Sequence, residues 1–277
     1  MTLPLTGMPM SPLAFDGACD THVHIYEPGY ALAPTATFVP PAAPTSAYRT
    51  VQQALGLQRA VIVQPTGYGF DNRCTLAAVA QLGDGARAVV VVPPDVDDAE
   101  LKRLHDAGAR GIRFMMLSGG LLPWGALEPL AERIAPIGWH IDLQIDGRDM
   151  PKHEARLRRL PGQLIIDHIG KFLGPTTPDD EAFLSLRRVL DEGRCWIKVA
   201  APYETSKKGP PGYEDIVPLA DALVRHHAAR CVWASNWPHP NVNPTPDNRV
   251  LLGWAEARFG GEARRILVDN AAELYGY

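Results

Sequence analysis

His22 and His24 alternate with a β-branched valine in Asp20-Thr21-His22-Val23-His24-Ile25. Extended backbone sends alternate side chains to one side, so both imidazoles face the same way. A third imidazole, His168, follows Asp167 at the end of another apolar run, and Asn236 carries an amide out of Val232-Trp233-Ala234-Ser235 into a loop. Three converging imidazoles can pass a proton near neutral pH or hold a divalent metal on nitrogen. A lone histidine in an apolar run more often packs in the core. Three of them with an amide, all at predicted strand ends, point to a functional site.

Something must bring these residues together. Apolar runs at 18–26, 59–66, 87–92, 111–117, 139–145, 164–169, 195–200 and 231–235 predict eight strands. Helical patterns are expected at 46–55, 97–107, 124–134, 150–159, 178–192 and 213–227, with two more at 246–259 and 262–275. Near-continuous apolar strands argue for a parallel sheet covered on its outer face. Eight such units predict an α/β fold, a (β/α)8 TIM barrel forming a single domain over 18–277 behind an N-terminal arm at 1–17. A doubly wound open sheet would carry a glycine fingerprint after its first strand, and residues 22–26 have none. The five prolines of residues 27–45 exclude a helix there and predict a long loop over one barrel end.

In such barrels chemistry gathers where the strands end at the carboxyl face. Besides the three histidines and Asn236, that face should present Gln64, Thr66, Arg113, Gln144, Asp146, Asp167 and Tyr203. His239, held between two prolines, is expected either to reach the mouth or to cap a turn. His140 should be structural, and His105, His153, His226 and His227 should lie on helices facing solvent. Lys198, inside the seventh strand, should be buried and ion-paired, with no role assigned.

Composition narrows the class. With 46% hydrophobic and 21% charged residues the chain can bury a large core, and a net charge of −4 with scattered basic residues offers no stripe for nucleic acid. Four distant cysteines without a C-x-x-C suggest reduced thiols in a cytoplasmic protein. The first fifteen residues lack positive charge and contain three prolines, a poor signal peptide. No apolar run approaches the roughly 18 residues of a membrane span. Oligomeric state stays open.

Together, Asp20-Thr21-His22-Val23-His24, Asp167-His168-Ile169-Gly170 and Trp237-Pro238-His239-Pro240-Asn241 resemble the amidohydrolase superfamily. The likeness is to the branch containing 2-pyrone-4,6-dicarboxylate lactonase and D-galactarolactone isomerase. It implies that His22, His24 and His168 polarise a lactone carbonyl, that Arg113 binds a carboxylate, and that no metal or other cofactor is needed. The aspartate that activates water in the lactonase is here Asn236. Where the lactonase uses further arginines and a tyrosine, this chain carries Gly119, Lys171, Glu204 and Gln144. Lys171 is a candidate second substrate contact, with Gln64, Thr66, Gln144, Tyr203 and His239 completing the expected binding set.

A carboxamide cannot take up a proton at neutral pH. Loss of a general base costs about 10²–10⁴-fold, whereas a tethered hydroxyl attacks with effective molarities of about 10⁵–10⁸ M. The resemblance therefore implies a metal-independent sugar-acid lactone isomerase of the D-galactarolactone isomerase kind. It would convert a 1,5-lactone to a 1,4-lactone by intramolecular attack, and its ligand would be a small lactone carrying a carboxylate. Two alternatives remain at this point. One is a lactone hydrolase, metal-free or with zinc on His22, His24 and His168; the other is a protein that binds a lactone without turning it over.

Overall fold

The computed structural model describes Leu13 and residues 15–277. Most of the expected arm lies outside the described residues, although Leu13 and Phe15 pack on the core. The strands are β1 (Cys19–Val23), β2 (Arg59–Val63), β3 (Ala86–Val90), β4 (Ala109–Met115), β5 (His140–Gln144), β6 (Gln163–Ile166), β7 (Cys195–Lys198) and β8 (Cys231–Val232). Each pairs in parallel with the next, in chain order. The β1–β8 seam is closed by Thr21 N–H donating to Trp233 O at 3.0 Å, Asn236 N–H to His22 O at 3.0 Å and His24 N–H to Trp237 O at 2.8 Å. This is the (β/α)8 barrel.

Helices α1 (Thr45–Leu55), α2 (Arg73–Leu82), α3 (Asp98–Asp106), α4 (Leu127–Ile134), α5 (Met150–Leu157), α6 (Glu181–Asp191), α7 (Val217–His227) and α8 (Asn248–Phe259) wrap the outside, and α9 (Asn270–Tyr275) packs against the barrel floor. Helix α2 was not anticipated. Its sequence is so rich in alanine and other apolar residues that an amphipathic stripe barely shows, though Cys74 and Ala78, one turn apart, are buried. Helix α7 starts four residues later than expected because Tyr213 adopts a left-handed φ of 49°. Helix α8 starts at Asn248 because the Asp247 carboxylate accepts from the N–H groups of Arg249 and Val250. The final expected helix is interrupted by a π-turn at Arg265–Asp269.

Strand β5 shows why the interior is polar. Ile141 and Leu143 pack in the outer shell against the helices, so period-two alternation turns His140, Asp142 and Gln144 inward. Gly111 on neighbouring β4 makes room, since a Cβ there would meet His140 Nε2 at 2.4 Å. The lower barrel is apolar: Cys19, Val61, Val89, Ile165, Trp196 and Val232 are closed off by Ala271, Leu274 and Tyr275 at the chain's end. A shift of register between Asp20 and Val23 lets Cys19 join this floor while His22 and His24 serve the upper barrel.

The proline-rich segment runs over the mouth, pinned by mutual backbone hydrogen bonds between Tyr26 and Ala43, and contributes Phe38 to the cavity there. Among the described residues no helix is long and apolar enough to cross a membrane. Of the helix histidines, His226 is exposed, and His105 and His153 are half-buried, His105 accepting a hydrogen bond from Trp139 and His153 stacking on Trp124. His227 likewise turns from solvent toward Asp191.

Candidate active site

A cavity of about 510 Å³ opens at the carboxyl ends of the strands. Its wall includes His24, Thr66, Arg113, Gln144, His168, Lys171, Tyr203, Glu204 and Asn236. Several sit on strained backbone. His168, Ile169 and Lys171 have φ of 51°, 57° and 45°, and Asn236 has φ of 61°. Left-handed backbone is costly for a β-branched residue such as Ile169, and such outliers cluster at functional sites. The turn after β6 thereby brings both His168 and Lys171 to the cavity.

Asp20 fixes the other side. Its carboxylate accepts from Ser235 N at 2.8 Å, Ser235 Oγ at 2.5 Å and Tyr48 Oη at 3.3 Å. It thus locks the residue before Asn236 to the first strand. Burial raises its pKa to about 6, against the pull of the Ser235 hydrogen bonds. The sequence carried Asp20 only as part of a motif.

Beneath the wall lies a charged network with no exposed atom. Lys198 Nζ is 2.5 Å from Asp142 Oδ2, 2.9 Å from His22 Nδ1 and 2.9 Å from Asp167 Oδ1. An ammonium has no lone pair, so in its hydrogen bond with Lys198 the His22 Nδ1 is the acceptor, while Asp167 Oδ1 is held as an ion-pair partner. His22 then carries its proton on Nε2 and donates to His24 Nε2 at 3.2 Å, while His24 Nδ1–H donates to Val63 O at 2.8 Å. One tautomer satisfies the whole chain.

Burial, followed by the charge of Lys198, holds His22 well below its ordinary 6.5. His24 is lowered to about 3 by burial and Arg113, and His168 to about 4 by burial. All three are neutral imidazoles at physiological pH. Burial would raise Asp167, but Lys198 and His22 hold its carboxylate well below the usual range. Asp142 is pushed up to about 7 by burial and by facing Asp167.

The expected site residues do not all reach the cavity. His22 is fully buried behind His24, because its two ring nitrogens are spent on Lys198 and His24. Gln64 is turned away from ligand: its amide donates to Gly69 O and Asp71 O and accepts from Thr75. His239 is likewise consumed, between Tyr203 Oη at 2.8 Å and Asn248 Oδ1 at 2.9 Å. Asp146 is paired with Arg148.

Of the three histidines, His168 keeps a ring nitrogen free for ligand. Its Nδ1 is buried without a partner, and no protein group among the described residues engages its Nε2. Arg113 donates to Gln64 O at 3.0 Å and Gln144 Oε1 at 3.1 Å, and its buried Nε has no partner. No carboxylate among the described residues pairs with this guanidinium. Asn236 Nδ2 spends both protons, on Tyr203 Oη at 2.9 Å and Glu204 Oε1 at 3.1 Å. That fixes the amide orientation and leaves Oδ1 as a free acceptor.

Glu204, expected only as a replacement for one of the lactonase's arginines and given no site role, lies on the wall. It pairs with Lys171 through Oε2 and with Asn236 through Oε1. Burial opposes its ionisation, but His168 and Lys171 hold it below its usual 4.5. The available signal was an acid beside Tyr203, just past a barrel strand.

His22, Asp167 and His168 bring possible ligand atoms within 4.8 Å of one another. As arranged, this set does not fit a divalent ion, because the Lys198 ammonium already faces both His22 Nδ1 and Asp167 Oδ1. His24, expected in any metal set, is not part of the group, although its Nδ1–H bond to Val63 O is one that a ligating histidine also makes.

Barrel, motif histidines and mouth define an amidohydrolase. The model of the Amidohydrolase family matches residues 19–277, and the chain belongs to that family. It is 34% identical over 280 residues to D-galactarolactone isomerase from Agrobacterium fabrum, covering 98% of this chain and 95% of that one. It is also 34% identical over 274 residues to 2-pyrone-4,6-dicarboxylate hydrolase from Comamonas testosteroni, covering 94% and 90%. An apo crystal structure from Agrobacterium tumefaciens superposes with a TM-score of 0.90 at 34% identity, over 94% of this chain and 96% of that one.

Proposed function

We propose that the protein is a metal-independent lactone isomerase acting on a sugar-acid lactone. Arg113 binds the substrate carboxylate, and His168 Nε2–H polarises the lactone carbonyl. A substrate hydroxyl, oriented by Asn236 Oδ1, attacks the carbonyl carbon. As that C–O bond forms, the bond to the original ring oxygen breaks and a 1,5-lactone becomes a 1,4-lactone. A proton leaves the attacking hydroxyl and one ends on the departing alkoxide: His168 gives its Nε2 proton to that alkoxide and takes the hydroxyl's proton on the same nitrogen. An imidazole held at about 4 is too weak a base to ionise a resting water. It can still accept from a hydroxyl that turns acidic during attack.

The observation that carries this reading is Asn236: at the expected base position stands a carboxamide with its N–H groups spent and only an acceptor oxygen left. The 34% identity to an isomerase across 98% of the chain agrees with it, but identity to a hydrolase is also 34%, over 94%, so Asn236 and not identity separates the two. Lactone hydrolysis is the second reading, and Glu204 is the observation in its favour, since it puts a carboxylate on the wall. Both Glu204 oxygens are engaged and its pKa is depressed, which makes it a poor acceptor of a proton from water. Proton NMR of a 1,5-lactone with and without protein tests the choice. Ring-size exchange above the spontaneous rate, without free acid, is the expected result. Acid release as the dominant product would overturn it.

A further inference from the structure

We infer that the Lys171–Glu204 pair is a specificity element that cancels the second cationic anchor of the mouth, so that the cavity takes one carboxylate and reads hydroxyls at its other end. This rests on the reading of the cavity as a sugar-acid lactone site. Among the described residues the wall carries two cations, Arg113 and Lys171, and one carboxylate, Glu204. Lys171 is bound to Glu204, with side-chain exposures of 11% and 19%. The histidines contribute no charge. One positive charge is thus left unbalanced, on the guanidinium whose Nε has no partner.

A ligand with one carboxylate neutralises that charge. A second carboxylate would have to lie against an ion pair that is already satisfied, losing its hydration without gaining a cation. The groups around the pair suit something else. Glu204 and Asn236 Oδ1 are acceptors and Lys171 can donate, within one contiguous patch, while the Tyr203 O–H is spent on His239 Nδ1. Each hydroxyl of a sugar acid both donates and accepts, so vicinal hydroxyls match such a patch where a flat diacid does not.

Calorimetric titration of the full-length protein with benzoate and with isophthalate, a monoacid and a diacid of the same ring, tests this. For the native protein the diacid should bind no more than about twofold tighter than the monoacid. Glu204→Gln frees the ammonium and should tighten isophthalate about tenfold or more relative to benzoate. Lys171→Gln leaves Glu204 uncompensated and should weaken both, the dianion more. A native preference for the diacid of tenfold or greater would overturn the inference. So would a folded Glu204→Gln variant with an unchanged ratio, or failure of both probes to bind. If Glu204→Gln does not fold, the native ratio and Lys171→Gln still decide. These are binding measurements, so they separate from turnover. A shifted ratio alongside acid release defeats the isomerase reading alone, and an unshifted ratio alongside ring exchange defeats the specificity element alone.

Discussion

The barrel holds two lysine–carboxylate groups, and they differ in what surrounds them. Lys198 with Asp142 and Asp167 is sealed at 0% exposure, its ammonium facing both carboxylates and His22 Nδ1. Lys171 with Glu204 lines the cavity and shares it with whatever enters. In the sealed group the charges fix structure: Lys198 sets the tautomer of His22, and His22 that of His24. In the wall group the same pairing leaves the geometry adjustable and sets the net charge offered to ligand. Solvent access, more than chemistry, separates a scaffold from a selector.

The largest expected effect breaks the sealed group. Lys198→Met strands two buried carboxylates without a cation, and removing one partner of a buried pair costs about 3–5 kcal/mol. Urea denaturation should show that loss, and adding Asp142→Asn and Asp167→Asn should recover part of it. An unchanged midpoint would mean that the ammonium is not what balances these acids. On the wall, Asn236→Asp places a carboxylate at about the 3.1 Å separation now spanned by the Asn236–Glu204 hydrogen bond. Like charges so close raise one pKa of the pair and create the base now missing. Hydrolysis should rise about 10²-fold or more and increase with pH through that raised value. A flat response would remove the reason given for isomerisation over hydrolysis.

Next in size is Arg113. Arg113→Lys keeps the charge but loses the planar fork that Gln64 O and Gln144 Oε1 hold in place. A charge-assisted hydrogen bond contributes about 1.5–3 kcal/mol, so KM should rise roughly tenfold to a hundredfold with a smaller change in kcat. Equal losses in both would move Arg113 from binding to the reaction itself.

Acid probes the imidazoles. His24 and His168 are held at about 3 and 4 against an ordinary 6.5, so the unfolded chain takes up protons first as pH falls. Their contribution to stability is complete above 6.5 and is lost from there down to the folded values. Asp20, raised to about 6 from 3.8, works the other way between those two values, because its protonated form is favoured in the fold. Denaturation midpoints should therefore fall between pH 6.5 and 4.5, less steeply than the two histidines alone would give. Turnover should stay level down to about pH 5 and drop as His168 charges. A bell centred near 6.5 would contradict neutral, buried rings.

The barrel was legible because buried parallel strands read as apolar runs, and the mouth because polar residues at their ends break those runs. Harder to read was which polar residue faces where. His22 and His24 share a strand face, yet the distribution of hydrogen bonds puts one behind the other. Gln64 and His239 lie at correct depths but are consumed by loop carbonyls and by Tyr203 and Asn248. These are contacts across 5 to 36 residues, set by loop conformations that spacing does not encode. Lys198 was legible as a buried ion pair, because a lysine inside a strand must find an anion, but its partners, Asp142 on β5 and Asp167 just past β6, were not. Glu204 was named but given no role, because its pairing with Lys171, 33 residues away, is not written in the spacing.

The smallest effect sharpens the contrast from outside. Lys102 and Asp106 on α3 make a 2.7 Å ion pair, closer than Lys198 to Asp167, with side chains 75% and 59% exposed. Distance alone would rank it among the stronger pairs. Water already solvates both groups, salt screens them, and holding two long side chains together costs rotamer freedom. Lys102→Ala should therefore leave the denaturation midpoint within measurement error at moderate salt, in the same assay in which Lys198→Met falls by several kcal/mol. Comparable losses from the two substitutions would mean that burial is not what gives the inner group its hold on the site.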